Sequence, residues 1–209
     1  MVTLLGGAPV DSARLRESLD MAPLLIAADG GAMRALEEGL VPAAVIGDMD
    51  SLPPEARTRL DPETICEIAE QNSTDFDKAL RNIEAPLVIA VGFTGARLDH
   101  ELAVYAVMAR RKARVVVLGS DDVCFHAPRS LRLDLPVGSR VSLFPMAPVT
   151  GRSEGLRWPI EGLHFAPNGR VGTSNEAVET EVTLEFDGDG MLVILPRSEL
   201  SSVVRALLS

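Results

Sequence analysis

Two carboxylates, Asp48 and Asp50, follow a short apolar run and are the first candidates for chemistry in this chain. The run at residues 43–46 predicts a buried strand that ends at Gly47. In an extended backbone, side chains two residues apart point the same way, so both carboxylates would leave the carboxyl end of the strand together. In open α/β sheets, ligands bind at that edge. Two carboxylates held close repel unless a cation lies between them, and Mg²⁺ is the simplest such cation.

Further acids follow other predicted strands, and each has a structural alternative. The pair Gly47-Asp48, which ends the apolar run at residues 43–46, is also common in turns. Asp29 follows the second predicted strand, and Asp99 follows the fifth. Asp75 and Asp77 follow the fourth, where they would also suit the first turn of a helix capped by Thr74, a cap worth ~1 kcal/mol. Acids after four strands of one sheet are harder to explain in this way, and they predict a shared acidic cleft.

A glycine loop at residues 92–97 supplies a positive element. Free N–H groups at the entry to a helix suit an anion, and Arg97 carries a forked cation that matches phosphate. The structural alternative is an exposed ion pair between Arg97 and Asp99, which would contribute little stability. His100 alone favours a structural hydrogen bond over a catalytic base.

The elements that must position these residues alternate between strand and helix in the first part of the chain. Apolar runs predict six strands, at residues 2–5, 24–28, 43–46, 64–69, 87–91 and 114–118. Caps and helical patterns predict helices at residues 11–19, 32–38, 74–83 and 98–111, with a short one after Pro53. This alternation favours a mostly parallel sheet covered on both faces.

The pattern changes near Gly119, and no helical period follows until the last few residues. Pro and Gly separate five strand-like segments, at residues 123–126, 130–135, 140–145, 178–186 and 191–195. They predict a smaller all-β domain, a sandwich or jelly roll. The predicted fold class is therefore an α/β domain at residues 1–121 followed by an all-β domain at residues 122–209.

Composition narrows the possible partners. The formal net charge of −10 argues against nucleic acid, whose phosphates need a basic surface. A phosphorylated small molecule is compatible if Mg²⁺ or local Arg and Lys residues offset its charge. No apolar run is long enough to span a membrane, and the N-terminus lacks the basic region of a signal peptide. Cys66 and Cys124 are isolated and lack metal spacing, which indicates a reducing, cytoplasmic setting.

Six motifs occur in the order and spacing of one family, and on them the chain resembles the thiamin pyrophosphokinases. In the first domain they are residues 28–31 (ADGG), 47–51 (GDMDS), 74–80 (TDFDKAL) and 94–100 (TGARLDH). In the second, residues 155–159 (GLRWP) and 173–176 (TSNE) are similar to the family's thiamin-side motifs. Each motif alone is weak, whereas the ordered set is specific.

The resemblance implies a fold, an assembly and a reaction. An α/β domain joined to a β-sandwich would form a homodimer, with each site between the α/β domain of one subunit and the β domain of the other. The enzyme would transfer a diphosphate from ATP to the hydroxyl of thiamin, giving thiamin diphosphate and AMP. ATP would be the co-substrate and Mg²⁺ the cofactor, with neither nucleic acid nor a membrane as partner.

A metal site built from carboxylates is also implied by the resemblance. Asp48 and Asp50 would hold Mg²⁺ on the triphosphate, and Asp75 would join them from the start of its helix. Asp29 would lie in the same cleft, on the nucleotide or metal side. The family usually has an acid where this chain has Asn72, which removes one negative charge near the metal.

For the nucleotide, the resemblance implies a second set of residues. Gln71 and Thr74 would hydrogen-bond the phosphates of ATP, and Arg97, also an ATP ligand, would face the transferred group. Asp99 would orient the hydroxyl nucleophile or a metal-bound water. Ala96 stands where glycine is common, a change that is tolerated if its φ is negative. Such a set fits phosphoryl-type transfer, which depends mainly on positioning and charge neutralisation.

For thiamin, the resemblance implies three residues of the second domain. Trp158 would stack on the aminopyrimidine ring, Ser174 would hydrogen-bond its polar edge, and Asn175 would lie beside it. An aromatic face or a nearby acid such as Glu176 would attract the positive thiazolium ring. The structural alternative for Trp158, the only tryptophan, is a place in the β-domain core.

Two other functions compete with this hypothesis. A metal-dependent phosphohydrolase would use Asp48 as nucleophile and Asp50 as acid, with Asp121 and Asp122 as a later metal pair. It predicts phosphate release from a monoester without ATP. A non-catalytic thiamin- or nucleotide-binding regulator would keep the fold and lose turnover, for which Asn72 is the one weak argument. It predicts ligand binding without AMP.

Overall fold

The computed structural model of the chain describes residues 1–111 and 113–209. These residues divide into two compact units, residues 1–107 (unit 1) and residues 108–209 (unit 2). Unit 1 is built on parallel strands with helices between them, and unit 2 on antiparallel strands. The fold class predicted from the sequence, an α/β part followed by a β part, is confirmed.

The parallel sheet of unit 1 has five strands, β1 (Val2–Leu5), β2 (Leu24–Ala28), β3 (Ala44–Gly47), β4 (Ile65–Glu67) and β5 (Val88–Val91). Their order is β5-β1-β2-β3-β4, and Val2 is paired with both Leu24 and Val88. Every residue of β1 and β5 is buried, as expected of central parallel strands covered on both faces. The strand predicted at residues 64–69 was too long at both ends, because Thr64 belongs to a 3₁₀ turn and β4 ends at Glu67.

Four helices lie between these strands, α1 (Ser12–Met21), α2 (Gly31–Glu37), α3 (Pro54–Arg57) and α4 (Asp75–Asn82), and α5 (Leu98–Arg111) follows β5. The predicted cap at Thr74 is confirmed, and a second cap begins α1. The hydroxyl of Thr74 accepts a hydrogen bond from the N–H of Asp77 at 3.3 Å and so begins α4. The carboxylate of Asp11 accepts one from the N–H of Arg14 at 2.8 Å and begins α1.

The described residues of unit 2 form eight strands and a C-terminal helix. These are β6 (Val115–Leu118), β7 (Asp122–His126), β8 (Ser130–Asp134), β9 (Arg140–Pro145), β10 (Gly151–Glu154), β11 (Gly172–Glu176), β12 (Glu181–Phe186), β13 (Met191–Pro196) and α6 (Leu200–Leu208). Within the unit, one set of strands runs in the order β11-β9-β13-β7-β6, and a second sheet in the order β10-β12-β8. Residues of β8 alternate between exposed and buried, which is typical of a sheet with one covered face.

Two strands of unit 2 were absent from the sequence prediction. β10 and β11 have the sequences GRSE and GTSNE, which lack an apolar alternation. They form because β12 and β9 supply main-chain partners. β11 also contains a register shift between Gly172 and Asn175, so its side chains do not follow a regular period. Among the described residues, no helix combines the length and apolar character needed to cross a membrane.

Candidate functional site

A cavity of about 540 Å³ in unit 1 is lined mainly by residues that follow the carboxyl ends of its five strands, β1 to β5. Parallel strands end at one edge of their sheet, so segments far apart in sequence meet there. The lining includes most residues predicted for the metal and the nucleotide, namely Asp29, Asp48, Asp50, Gln71, Thr74, Asp75 and Arg97. The structure therefore brings these side chains together.

Asp29, Asp48 and Asp50 concentrate negative charge in this cavity. One carboxylate oxygen of each lies within 4.8 Å of those of the other two. Asp29 is only 3% exposed, and its Oδ1 has no hydrogen-bond partner among the described residues. Buried carboxylate oxygens are normally satisfied, and a hard divalent cation such as Mg²⁺ prefers this kind of ligand. The donor set therefore fits Mg²⁺.

The pKa of Asp29 shows that its charged form is destabilised in this arrangement. Burial raises the pKa of Asp29, and a hydrogen bond from Ser51 only partly opposes that effect. Repulsion from Asp75, Asp50 and Asp48 raises the pKa further. A cation among the carboxylates would offset both the lost hydration and the repulsion.

The backbone that presents the acids is unusual at two positions. Asp29 has a φ of 39° and Met49 a φ of 62°, a left-handed region that non-glycine residues seldom adopt. Gly47 is required next to them, because a Cβ at this position would lie 2.7 Å from the Cβ of Asp29. Strained backbone of this kind tends to occur at functional sites.

Lys78 is the buried cation of the site, and the sequence reasoning assigned it no role. Its side chain is 1% exposed, and its Nζ donates to Asp48 Oδ2 at 2.7 Å and to Asp75 Oδ1 at 3.1 Å. Burial opposes the charge of Lys78, but these hydrogen bonds and the two carboxylates outweigh it and raise its pKa. The bond from Lys78 is in turn the main cause that lowers the pKa of Asp48. Asp75 is thus linked to Asp48 through their shared partner Lys78. Asp75 and Lys78 are three residues apart on a helix, a spacing at which opposite charges often pair, so the sequence could have indicated this contact.

The segment before α4 is fixed by Glu70. Its Oε1 accepts hydrogen bonds from the hydroxyl of Ser73 and, at 2.6 Å, from Arg81. The bond from Ser73 first, and the one from Arg81 next, lower the pKa of Glu70 to about 2. Gln71, held in this segment, donates to Asp48 Oδ2 at 3.2 Å. The amide of Gln71 is thus placed beside the carboxylates.

Arg97 and Asp99 form a two-point ion pair, Nε to Oδ1 at 3.2 Å and a terminal nitrogen to Oδ2 at 2.7 Å. Their side chains are 70% and 66% exposed. Hydrogen bonding to Asp99 raises the pKa of Arg97, and the same contact lowers that of Asp99. Arg97 lines the cavity, whereas Asp99 lies outside its lining. Exposed pairs of this kind contribute little stability. Ala96 stands where the family commonly has glycine. Its φ is not positive, so the backbone conformation at this position is one that alanine adopts without strain.

The three residues predicted for thiamin lie together in unit 2. Trp158 is 56% exposed, so the alternative that it belongs to the core is wrong. Ser174 has a φ of 62°, and its N–H donates to the hydroxyl of the buried Ser142 at 3.0 Å. Asn175 is 8% exposed and bonds the main chain of Trp158. Its amide is therefore occupied within the protein.

Two family models match the chain. One, described as the thiamin pyrophosphokinase catalytic domain, matches residues 15–118. The other, described as the thiamin pyrophosphokinase vitamin B1 binding domain, matches residues 126–191. The two matches follow the same order as the α/β and β parts of the fold.

Individual proteins are similar over most of the chain. Thiamine pyrophosphokinase 1 of Oryza sativa subsp. japonica is 30% identical over 205 residues, covering 81% of this chain and 78% of that protein. Thiamine pyrophosphokinase 1 of Arabidopsis thaliana is 27% identical, covering 80% and 76%. The crystal structure of thiamin pyrophosphokinase from Geobacillus thermodenitrificans has the same fold, with a TM-score of 0.74 at 24% identity over 96% of this chain and 99% of that one.

Proposed function

Because the chain belongs to the thiamin pyrophosphokinase family, we propose that it transfers a diphosphate group from ATP to the hydroxyl of thiamin, giving thiamin diphosphate and AMP. The observation that carries this proposal is the convergence of Asp29, Asp48 and Asp50 beside the buried Lys78. All four residues lie inside the segment matched by the catalytic-domain model. Such a site suits phosphoryl-type transfer, which requires positioning and charge neutralisation more than covalent chemistry.

Asp48 and Asp50 are the proposed ligands of Mg²⁺, with Asp75 joining them from the start of α4. Asp29 is the further ligand that the structure supports best, because its unpartnered Oδ1 is close to the other two carboxylates. Bound Mg²⁺ would neutralise the triphosphate and fix the positions of its oxygens. The carboxylate of Asp75 accepts a hydrogen bond from Lys78. If Asp75 bound Mg²⁺ instead, the ammonium of Lys78 would be available to bond a phosphate oxygen.

Around the reacting group we assign the remaining roles from position. Gln71 and Thr74 would bond the phosphates, and Arg97 would face the group in transfer, since all three line the cavity. The hydroxyl oxygen of thiamin would attack the β-phosphorus, and the bond from that phosphorus to the oxygen bridging to the α-phosphorus would break. AMP would leave with that oxygen, and the hydroxyl proton would pass to solvent. Asp99, held by Arg97, would orient the attacking hydroxyl or a metal-bound water.

The thiamin side is assigned to residues 122–209, and ATP and the metal to residues 1–121. Trp158, Ser174 and Asn175 lie inside the segment matched by the vitamin B1 binding model, which supports this division. We further propose a homodimer in which the α/β domain of one subunit and the β domain of the other share each site. A cytoplasmic location is also proposed, supported by the free thiols of Cys66 and Cys124.

The test is to incubate the protein with thiamin, ATP and Mg²⁺ and to follow AMP and thiamin diphosphate by chromatography. Asp50→Asn should lower turnover about a hundredfold or more, because it weakens charge neutralisation at the transferred group. Asp20→Asn, at an exposed position of α1, is the matched control and should leave turnover unchanged. Failure of the wild type to form AMP above background would refute the proposal. Sedimentation of an active monomer would refute the shared site.

The two rival functions gain no support from the comparisons. Both matching models and the relatives carry the name of the kinase family rather than that of a phosphohydrolase or a regulator. The incubation separates the kinase from the regulator, which would bind thiamin or nucleotide without forming AMP. A separate incubation with a phosphate monoester and no ATP tests the phosphohydrolase, which would release phosphate from it.

A further inference from the structure

The exposed indole of Trp158 stands on a firmly held piece of main chain. Asn175 bonds both sides of this residue, because its Oδ1 accepts from the N–H of Trp158 at 3.2 Å and its Nδ2 donates to the carbonyl of Trp158 at 2.7 Å. One residue earlier, the N–H of Arg157 donates to the carbonyl of Glu176 at 2.8 Å. Pro159 restricts the backbone of Trp158 to an extended conformation. The main chain is thus fixed although the side chain is largely open to solvent.

One face of the ring is already occupied. The guanidinium carbon of Arg157 lies over the indole, 5.8 Å from its centroid, within the range of a cation–π contact. The carboxylate of Glu176 accepts from Arg157 at 2.7 Å and holds the guanidinium in that place. A ring with a cation on one face attracts a second cation less, and Glu176 already has a cationic partner. An uncharged aromatic ring is therefore the better occupant of the open face.

Resting on the proposed function, we infer that Asn175, Arg157 and Glu176 are positioning residues that together fix Trp158 as a one-faced stacking platform. We call these three residues the Trp158 clamp. Both polar atoms of Asn175 are engaged inside the clamp, since its Oδ1 also accepts from the N–H of Glu176 at 2.8 Å. Asn175 thus acts through Trp158 rather than by touching thiamin. The clamp presents the indole to the uncharged ring of thiamin and to no cationic ring.

The physical gain of the clamp is preorganisation. A large aromatic side chain on a mobile segment would lose conformational freedom when a ligand stacked on it, and binding would weaken by that amount. A fixed indole avoids this loss and offers the same geometry to substrate and transition state. Release of the clamp should therefore raise the KM for thiamin and leave kcat almost unchanged.

The first experiment needs no ligand, because Trp158 is the only tryptophan and its fluorescence reports on this place alone. Asn175→Ala should lower the steady-state anisotropy of Trp158 and increase its quenching by acrylamide. The matched control is Arg152→Met, which breaks a similar exposed cross-strand pair with Glu185 on another sheet of unit 2. The control should change neither signal. Wild-type anisotropy and quenching in a folded Asn175→Ala protein would overturn the inference.

The second experiment adds thiamin and follows the quenching of Trp158. For Asn175→Ala we expect Kd and KM for thiamin to rise about tenfold while kcat stays within about threefold of wild type. Arg157→Met keeps the bonds from Asn175 and decides the matter if Asn175→Ala does not fold. It should expose the second face of the indole, increase quenching by acrylamide and raise the thiamin Kd about threefold. Wild-type quenching and Kd in Arg157→Met, or a loss of kcat with unchanged Kd in either variant, would overturn the inference.

The two proposals can fail separately. A wild type that neither binds thiamin nor forms AMP would refute the proposed function. The ligand-free comparison of wild type with Asn175→Ala would still decide whether the clamp holds Trp158.

Discussion

Replacing Lys78 with Met would remove the buried cation of the site and keep most of its apolar side-chain volume. In the wild type, Nζ lies 2.7 Å from Asp48 and 3.1 Å from Asp75, whose side chains are 12% and 34% exposed. Without Lys78, Asp75 can regain water, but Asp48 is left as a nearly buried charge. It would then face Asp29 and Asp50 with no cation between them.

We expect Lys78→Met to lower the free energy of unfolding by about 3 kcal/mol at neutral pH. Removing one partner of a buried ion pair costs ~3–5 kcal/mol. The lower end applies because Asp48 borders a cavity that water can enter. In a chain of this size, that loss corresponds to a melting temperature lower by about 6–12 °C.

The penalty should depend on pH in a defined direction. Lys78 lowers the pKa of Asp48, so this contribution to stability is present above the ordinary carboxyl pKa of about 4 and is lost as the pH falls below it. The difference in stability between wild type and Lys78→Met should therefore narrow below about pH 4. Thermal unfolding followed by circular dichroism at neutral and acidic pH measures this change.

The control is Arg57→Met, which breaks an ion pair with Glu67 in which both side chains are 50% exposed. Its effect should stay below about 1 kcal/mol at neutral pH. Added Mg²⁺ should raise the melting temperature of Lys78→Met more than that of the wild type, because the variant site carries one more uncompensated negative charge. If Lys78→Met were as stable as Arg57→Met at both pH values, Lys78 would not be offsetting buried charge and the reasoning would be refuted.

Three further predictions concern the same region. Asp29→Asn should raise the stability of the metal-free protein by about 1 kcal/mol, because it removes a buried charge that is repelled by its neighbours. The same change should weaken Mg²⁺ binding measured by calorimetry. A lower melting temperature of the variant without metal would contradict the prediction. Gly47→Ala should cost about 1–3 kcal/mol, because its Cβ would meet Asp29, whereas Gly188→Ala, whose nearest contact is 3.8 Å, should have little effect in the same unfolding assay. Glu70→Gln should reduce the stability of the protein at neutral pH but not in strong acid. The pKa of Glu70 is lowered from 4.5 to about 2 in the folded protein, so its ionised carboxylate stabilises the fold above pH 4.5. The wild type loses this contribution as the pH falls towards about 2. Parallel unfolding curves across that pH range would refute this last prediction.

The parts of the site that could be predicted from sequence are those set by local chemistry. Asp48 and Asp50 follow an apolar strand directly, so the edge of the sheet at which they lie follows from the strand alone. Thr74 begins a helix through its own hydroxyl, and that bond is confirmed. In both cases the residues that determine the position are within a few places of each other along the chain.

The parts that could not be predicted depend on distant partners. A lysine in an amphipathic helix is normally exposed. The ammonium of Lys78 can be buried because Asp48, 30 residues away, accepts a hydrogen bond from its Nζ at 2.7 Å. The strand at β10 forms on the main chain of β12, although its own sequence, GRSE, has no apolar pattern. Asn175 has the residue type of a ligand-binding amide, and only the position of Trp158 shows that both of its polar atoms bond the protein.

The energetics of Asp29 favour a bound cation independently of family membership. Its carboxylate is buried, its backbone φ is 39°, and its Oδ1 lacks a partner within the described residues. Each of these features lowers stability, and an asparagine would relieve the charge while accepting the same φ. The stability that these three features of Asp29 remove must be offset by packing elsewhere in unit 1, where β1 and β5 are wholly buried. The unsatisfied oxygen is then explained if it is a ligand position, because a divalent ion would convert the same repulsion and desolvation into binding free energy.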